Sequence, residues 1–161
     1  LLEQPGHSEL SGFSKDPETG VICRHRFDKL TSSSIAVDLK TTVDARKHAF
    51  SRAIMNYGYH VQNAFYHDQH RWITGTDLEG FFFVAVESES PFACKMYEID
   101  LDSFEAGRAS YRRNLNIFAY CKEQNEWAAY DSVLEEISIP RWALDEHEKN
   151  IIDNMTFTED N

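Results

Sequence analysis

The sequence predicts one domain of α/β or α+β class, in which a central sheet is flanked by helices. Three observations lead to this expectation. Strand-like segments lie at residues 21–28 and 35–40, a helical pattern follows from about 44 to 67, and an apolar run at 79–86 precedes a second long helical pattern. At 161 residues the chain is long enough to bury a sizeable core within a single domain.

The N-terminal part of the chain predicts β-structure. Glu9–Phe13 is a candidate for a short strand, and Asp16–Gly20 has Pro and Gly at positions that favour a turn. Val21–Asp28 and Ile35–Lys40 are stronger strand candidates, and both end in charged residues. If residues 30–34 join these two strands as a hairpin, their charged ends meet at one end of a sheet.

A long helix is predicted from Asp44, as its N-cap, to about His67. Apolar residues recur along it at helical spacing and form one face. The members of that face are Phe50, Ile54, Gly58, Val61 and Phe65. A second stripe is displaced by about 100° and consists of Met55, Tyr59, Gln62 and Tyr66.

The C-terminal half predicts two further strands and one further helix. Glu79–Val86 is apolar without alternation, as in a buried strand, and Cys94–Ile99 alternates as its partner would. Asp102 to about Lys122 then has helical periodicity. Residues 1–145 are expected to form the folded domain, and residues 146–161 an acidic, disordered tail.

Composition limits the partners and the cellular compartment that can be expected for the chain. The formal net charge is −11, whereas generic nucleic-acid binders are usually basic, although a bound Mg²⁺ reverses the field locally. Cys23, Cys94 and Cys121 are odd in number and widely spaced, which favours a reducing cytoplasm over a disulfide framework. No apolar run approaches the roughly 18 residues of a membrane span.

Three charged residues at the predicted strand ends indicate a chemistry. Asp38 and Lys40 are two apart on one strand and therefore share a face, and the hairpin brings Asp28 to the same place. Two carboxylates that close repel each other unless a cation lies between them. Mg²⁺ takes one or two protein carboxylates and keeps waters for chemistry, so the trio predicts a hydrolytic metal site for phosphodiesters.

The same residues resemble a known family. Asp28 with Asp38-Leu39-Lys40 resembles the signature of the PD-(D/E)xK nuclease superfamily, whose core is restriction-endonuclease-like with a mixed central sheet. Gln62 and Tyr66 match the Gln-x-x-x-Tyr motif of its RecB-like exonuclease branch. The segments that resemble the RecE-type family (exodeoxyribonuclease VIII) are 21–29, 37–42, 57–66, 111–115 and 139–143.

This resemblance implies a Mg²⁺-dependent exonuclease, with Mn²⁺ as a substitute ion. It would degrade one strand of linear double-stranded DNA in the 5′ to 3′ direction and leave 3′ single-stranded tails for recombination by annealing. It also implies a ring, here a homotetramer, and a RecT-type single-strand annealing protein of prophage origin as partner. Metal ligands would be Asp28, Asp38 and the Leu39 carbonyl, with Lys40, Gln62 and Tyr66 as further catalytic residues.

Other positions carry more than one interpretation. Arg24, Arg26 and Lys29 are possible DNA contacts, although an exposed strand face explains them equally well. The residues His60, His67, Asp68 and His70 are expected to be solvated surface rather than a zinc site.

The chain also departs from the family pattern. Phe27 replaces the usual Pro, and the family's N-terminal helical region, with a His at the metal site, is expected to lie before this chain. Alternative functions are a catalytically idle DNA-binding or assembly module, and an endonuclease of the same fold.

Overall fold

The computed structural model describes residues 2–130 and 133–156, and five strands and four helices lie within these ranges. Its elements in chain order are β1 (Gly6–Lys15), β2 (Ile22–Thr31), β3 (Ile35–Thr42), α1 (Lys47–Asn56), α2 (Tyr59–Thr74), β4 (Gly80–Glu87), β5 (Cys94–Glu98), α3 (Leu101–Gln124) and α4 (Arg141–Thr156). The chain divides into two compact units, Leu1–Trp127 and Ala128–Asn161. Within the described ranges, no helix has both the length and the apolar character that a membrane crossing needs.

The strands form one mixed sheet in the order β1-β2-β3-β4-β5. Neighbouring strands are antiparallel except β3 and β4, which pair in parallel with Asp38 opposite Phe83. A parallel pair needs a crossover connection, and α1 and α2 together supply it. The predicted mixed α/β or α+β domain with flanking helices is therefore confirmed.

The core lies between the sheet and the crossover helices. Phe27, Phe81 and Phe83 project from the strands, and Phe50 from α1 meets them, all four being buried. Phe83 and Phe81 are consecutive inward positions of β4, as the alternation of a strand requires. Helix α2 contacts β1, β2 and α3, and its Gln62 side chain reaches β3.

Helix α3 approaches α2 very closely at Gly107. A Cβ atom at this position would lie 2.2 Å from the carbonyl oxygen of His60, inside any real contact distance. Only glycine fits here without displacing backbone.

The single helix predicted from Asp44 to His67 is wrong in its bounds. Gly58 takes the left-handed conformation, with φ 68°, and separates α1 from α2. Its lack of a Cβ makes this conformation accessible, so a residue that the periodicity placed on a helix face ends the helix instead. The predicted N-cap Asp44 also differs, because Arg46 is the N-cap and the Asp44 carboxylate accepts a hydrogen bond from the Arg46 backbone N–H.

The strand predictions are confirmed, with different lengths. The short N-terminal candidate is part of a ten-residue strand, β1. The predicted turn at Asp16–Gly20 forms, with the Gly20 N–H donating to the Asp16 carbonyl. β4 and β5 pair as antiparallel neighbours, as their apolar and alternating patterns indicated.

The second unit contains α4, which the sequence did not predict. Pro140 stands directly before it, and Arg141 forms an ion pair of 3.0 Å with Asp145 one turn later, a spacing that supports a helix. Positions 146–156 are thus helical where a disordered tail was predicted, and 157–161 lie outside the described residues. The predicted domain boundary at residue 145 stays a prediction.

Candidate active site

The hairpin of β2 and β3 brings Asp28, Asp38 and Lys40 to one region of the sheet. Asp38 and Lys40 lie on the same face of β3, with Nζ of Lys40 2.6 Å from Oδ2 of Asp38. Oδ2 of Asp28, on the neighbouring strand, accepts a hydrogen bond of 2.8 Å from the backbone N–H of Leu39. The three charged side chains therefore meet, as the sequence predicted, and Leu39 places its backbone between the two carboxylates.

Asp38 is a carboxylate in an environment that disfavours its charge. Its residue is only 3% exposed, and burial raises the pKa of its carboxyl, with the nearby Asp28 charge acting in the same direction. Lys40 and Gln62 oppose this shift through their hydrogen bonds and charge but do not cancel it. The amine of Lys40 lies 2.6 Å from Oδ2 and is the charged partner of that oxygen.

Gln62 on α2 joins the two charged residues of β3. Its Nε2 donates to Oδ1 of Asp38 at 2.6 Å, and its Oε1 accepts from Nζ of Lys40 at 3.0 Å. An amide can serve both because it carries a donor and an acceptor on one rigid group. The crossover helix thus contributes a polar group that orients Asp38 and Lys40 relative to each other.

Tyr59 is a site neighbour that the sequence reasoning missed. Nζ of Lys40 lies 4.5 Å from the centroid of its ring and 5.9 Å from that of Phe83. A cation over an aromatic face is attracted by the negative face of the ring. The available signal was helical spacing, because Tyr59 stands three residues before Gln62 and so shares its side of the helix.

Tyr66 lies one turn beyond Gln62 and packs into an aromatic cluster. Its ring centroid is 5.4 Å from those of Phe27 and His25, and 6.3 Å from that of Phe81. Tyr66 is therefore brought against the residue that precedes Asp28 in sequence. The predicted contact of Tyr66 with a DNA backbone stays a prediction.

The three cations proposed as DNA contacts lie along β2. Arg24 and Arg26 are exposed and alternate with buried residues, and Lys29 is half-buried beyond Asp28. Arg26 forms an ion pair of 3.0 Å with Glu9 on β1, with both side chains largely exposed. Screening by water makes such a pair weak, so the guanidinium remains available to a stronger anion.

The histidine-rich end of α2 was expected to be solvated surface, which is wrong. His70 is buried, and Asp68 forms an ion pair of 2.9 Å with Arg108 on α3 and a hydrogen bond with Tyr111. His67 stands between the rings of Phe81 and Phe104. The error arose because α2 continues to Thr74 under α3, so this segment is not a helix end.

Within residues 2–130 and 133–156, no three His, Cys, Asp or Glu residues are grouped so as to hold an ion. The candidate site has two such side chains, Asp28 and Asp38, and the backbone would supply any further ligand.

Comparisons with known proteins agree with this fold. The sequence model of the family described as a PDDEXK-like domain of unknown function (DUF3799) matches residues 4–137. A search of curated proteins finds no match. A crystal structure of a protein from Eubacterium rectale, named "Putative exonuclease", superposes with a TM-score of 0.62 at 16% sequence identity. The superposition covers 86% of this chain and 56% of that one, so this chain spans little more than half of that structure.

The family match and the superposition establish the predicted fold class. The mixed five-stranded sheet with its flanking helices is the α+β, restriction-endonuclease-like fold of the PD-(D/E)xK superfamily.

Proposed function

The chain belongs to the family of PDDEXK-like domains (DUF3799), and on that premise we propose that it is a Mg²⁺-dependent nuclease of DNA. The observation that carries this proposal is the convergence of Asp28, Asp38 and Lys40, with Nζ of Lys40 2.6 Å from Oδ2 of the buried Asp38. Two carboxylates that lie close together repel each other unless a cation lies between them, and a divalent ion meets that need. Hydrolysis of phosphodiesters is the chemistry that we assign to this site.

The donor set fits a hard divalent cation. Asp28 and Asp38 offer carboxylate oxygens, and the backbone carbonyl of Leu39 offers another, all of the type that Mg²⁺ and Mn²⁺ prefer. The raised pKa of Asp38 supports this assignment, because a cation beside the carboxylate would offset the burial and the charge of Asp28 that raise it. When bound, the ion would polarise the scissile phosphate and activate a water molecule.

The remaining work falls to side chains of the chain itself. Lys40 holds a positive charge within reach of the developing negative charge on the phosphate, and it can orient the attacking water or accept its proton. Gln62 fixes the Lys40 amine through its Oε1 and fixes the Asp38 carboxylate through its Nε2. The ring of Tyr66 packs against Phe27, the residue before Asp28. We assign the Tyr66 hydroxyl to the DNA backbone near the cut.

We further propose the mode of action that the RecE-type resemblance implies. The enzyme would degrade one strand of linear double-stranded DNA in the 5′ to 3′ direction and leave 3′ tails for a single-strand annealing protein. The exonuclease name of the structurally similar protein supports an exonucleolytic mode. With a net charge of −11 a single chain has modest affinity for phosphates, and a homotetrameric ring would supply the missing retention on DNA.

Digestion of end-labelled DNA tests this proposal. With Mg²⁺, the protein is expected to release nucleotides from the 5′ ends of linear duplex and to leave closed circular duplex intact. Asp38→Ala and Lys40→Ala should each lower the rate at least about 100-fold, the typical effect of removing one group that stabilises the transition state. Lys122→Ala, an exposed lysine on α3, is the matched control and should retain the rate.

Four other results would contradict parts of the proposal. Cutting of closed circles would identify an endonuclease, and release from 3′ ends would reverse the polarity. DNA binding without Mg²⁺-dependent release would identify an idle binding or assembly module. Unchanged release by both site variants would refute the assignment of the site.

A further inference from the structure

A cavity of about 470 Å³ lies directly beside the site, where β3 ends and α1 begins. Its volume falls in the range of roughly 300–1,000 Å³ that is typical of small-ligand sites. Tyr59, whose ring faces the Lys40 amine, also lines this cavity, so the cavity and the site share this side chain. Its other polar and aromatic lining residues include Thr41, Thr42, Arg52, Asn56 and Tyr57.

Three aromatic rings form a column from the core to this cavity. Phe83 is fully buried, and the ring of Tyr59 stacks on it with centroids 5.8 Å apart and planes 24° apart. Tyr57 stacks on Tyr59 in turn, at 5.6 Å and 29°, and is 72% exposed. The two inner rings fix the outer one, which leaves a preorganised aromatic surface at the rim of the cavity.

The charges around the cavity favour an anion. Arg52 lines it, is exposed, and forms no ion pair with any residue in 2–130 or 133–156. Asp44 also lines it, but its carboxylate pairs with Arg46 at 2.6 Å, which lowers its pKa to about 2. An entering anion therefore meets an unpaired guanidinium and a carboxylate whose charge is already balanced.

We propose that this cavity holds a nucleobase of the DNA strand adjacent to the scissile phosphate, stacked on Tyr57, with Arg52 at the neighbouring phosphate. This inference rests on the proposed function, because it takes the Asp38 and Lys40 site as the place of cleavage. A planar ring that carries an anionic group matches the aromatic surface and the unpaired guanidinium of the cavity. A nucleotide has such a ring and such a group. Stacking on an aromatic face accepts every base, so the cavity fixes the position of the strand and does not read its sequence.

Fluorescence of 2-aminopurine in a short single-stranded DNA tests the inference without requiring cleavage. Ca²⁺ replaces Mg²⁺ so that the strand is bound and not cut. Binding by the wild-type protein should quench the fluorescence, since quenching reports stacking of the analogue. Tyr57→Ala should weaken binding roughly tenfold or more and abolish the quenching, whereas Tyr57→Trp should restore both.

Met55→Ala is the matched control, because Met55 is 71% exposed on α1 and does not line the cavity. This variant should bind and quench as the wild type does. Equal binding and quenching by wild type and Tyr57→Ala would overturn the inference, as would absence of DNA binding by the wild type. A wild type that quenches through Tyr57 but never cleaves with Mg²⁺ would refute the proposed function and the placement beside a scissile phosphate, and would leave only the stacking of a nucleobase on Tyr57.

Discussion

Removal of the Gln62 amide is expected to destabilise the protein through two charged neighbours. In Gln62→Leu, Asp38 loses the 2.6 Å hydrogen bond to its Oδ1, and Lys40 loses the 3.0 Å acceptor of its amine. A hydrogen bond to a charged group contributes about 1.5–3 kcal/mol. Water can replace part of the loss at Lys40, whose side chain is 17% exposed, and little of it at the buried Asp38. We therefore expect a decrease of roughly 2–4 kcal/mol in the free energy of unfolding.

Urea denaturation without divalent ions measures this change, and a double-mutant cycle with Asp38→Asn isolates the interaction. The expected coupling energy between the two positions is about 1–3 kcal/mol, and the melting temperature of Gln62→Leu should fall by about 5–15 °C. Gln124→Leu, at an exposed position of α3, controls for the exchange of an amide for an apolar side chain. Additivity of the two substitutions within about 0.5 kcal/mol would refute the bridging role of Gln62.

Three further predictions concern the metal site, pH dependence and helix packing. Mn²⁺ at about 100 times its dissociation constant should stabilise the wild type by roughly 2.7 kcal/mol and leave Asp38→Asn unaffected in thermal unfolding. This stabilisation should increase as the pH rises through the range in which Asp38 loses its proton, because the raised pKa of Asp38 makes protons compete with the ion. A shift that is equal in both proteins would contradict the site. Burial lowers the pKa values of His25 and His70, so the unfolded state binds more protons than the folded state. The free energy of unfolding should therefore fall as the pH decreases below about 6.5. His70→Leu should reduce this pH dependence, which urea titrations at several pH values measure. Gly107→Ala should destabilise by at least about 1–3 kcal/mol, because its Cβ would lie 2.2 Å from the His60 oxygen, and an unchanged urea midpoint would contradict this close packing.

Much of the fold could be predicted because its strands have strong local signatures. The apolar run around Phe83 and the strand-like segment that ends at Asp28 both identify strands that the structure contains. The juxtaposition of Asp28 with Asp38 also follows from local features, since a short hairpin fixes which residues of its two strands meet. Because Asp28 and Asp38 are close in sequence, a hairpin can pair them in few ways.

The parts that were missed depend on contacts between distant segments. Nothing in the periodicity around Gly58 distinguishes a helical glycine from the left-handed one that the structure contains. The burial of His70 similarly depends on where α2 ends and on the sheet beneath it. The use of Gln62 could be read from a family motif, but its two hydrogen bonds require the crossover helix to be placed over β3.

The polar groups around Asp38 all come from one uninterrupted stretch of the chain, residues 28–62. Natural variation in β1 or in the second unit can therefore proceed without a change in these polar groups. Residues 28–62 and the adjacent strand β4 could be inherited unchanged while more distant parts of the chain diversify. Such independence offers one physical route by which proteins with little overall sequence identity keep the same reactive arrangement.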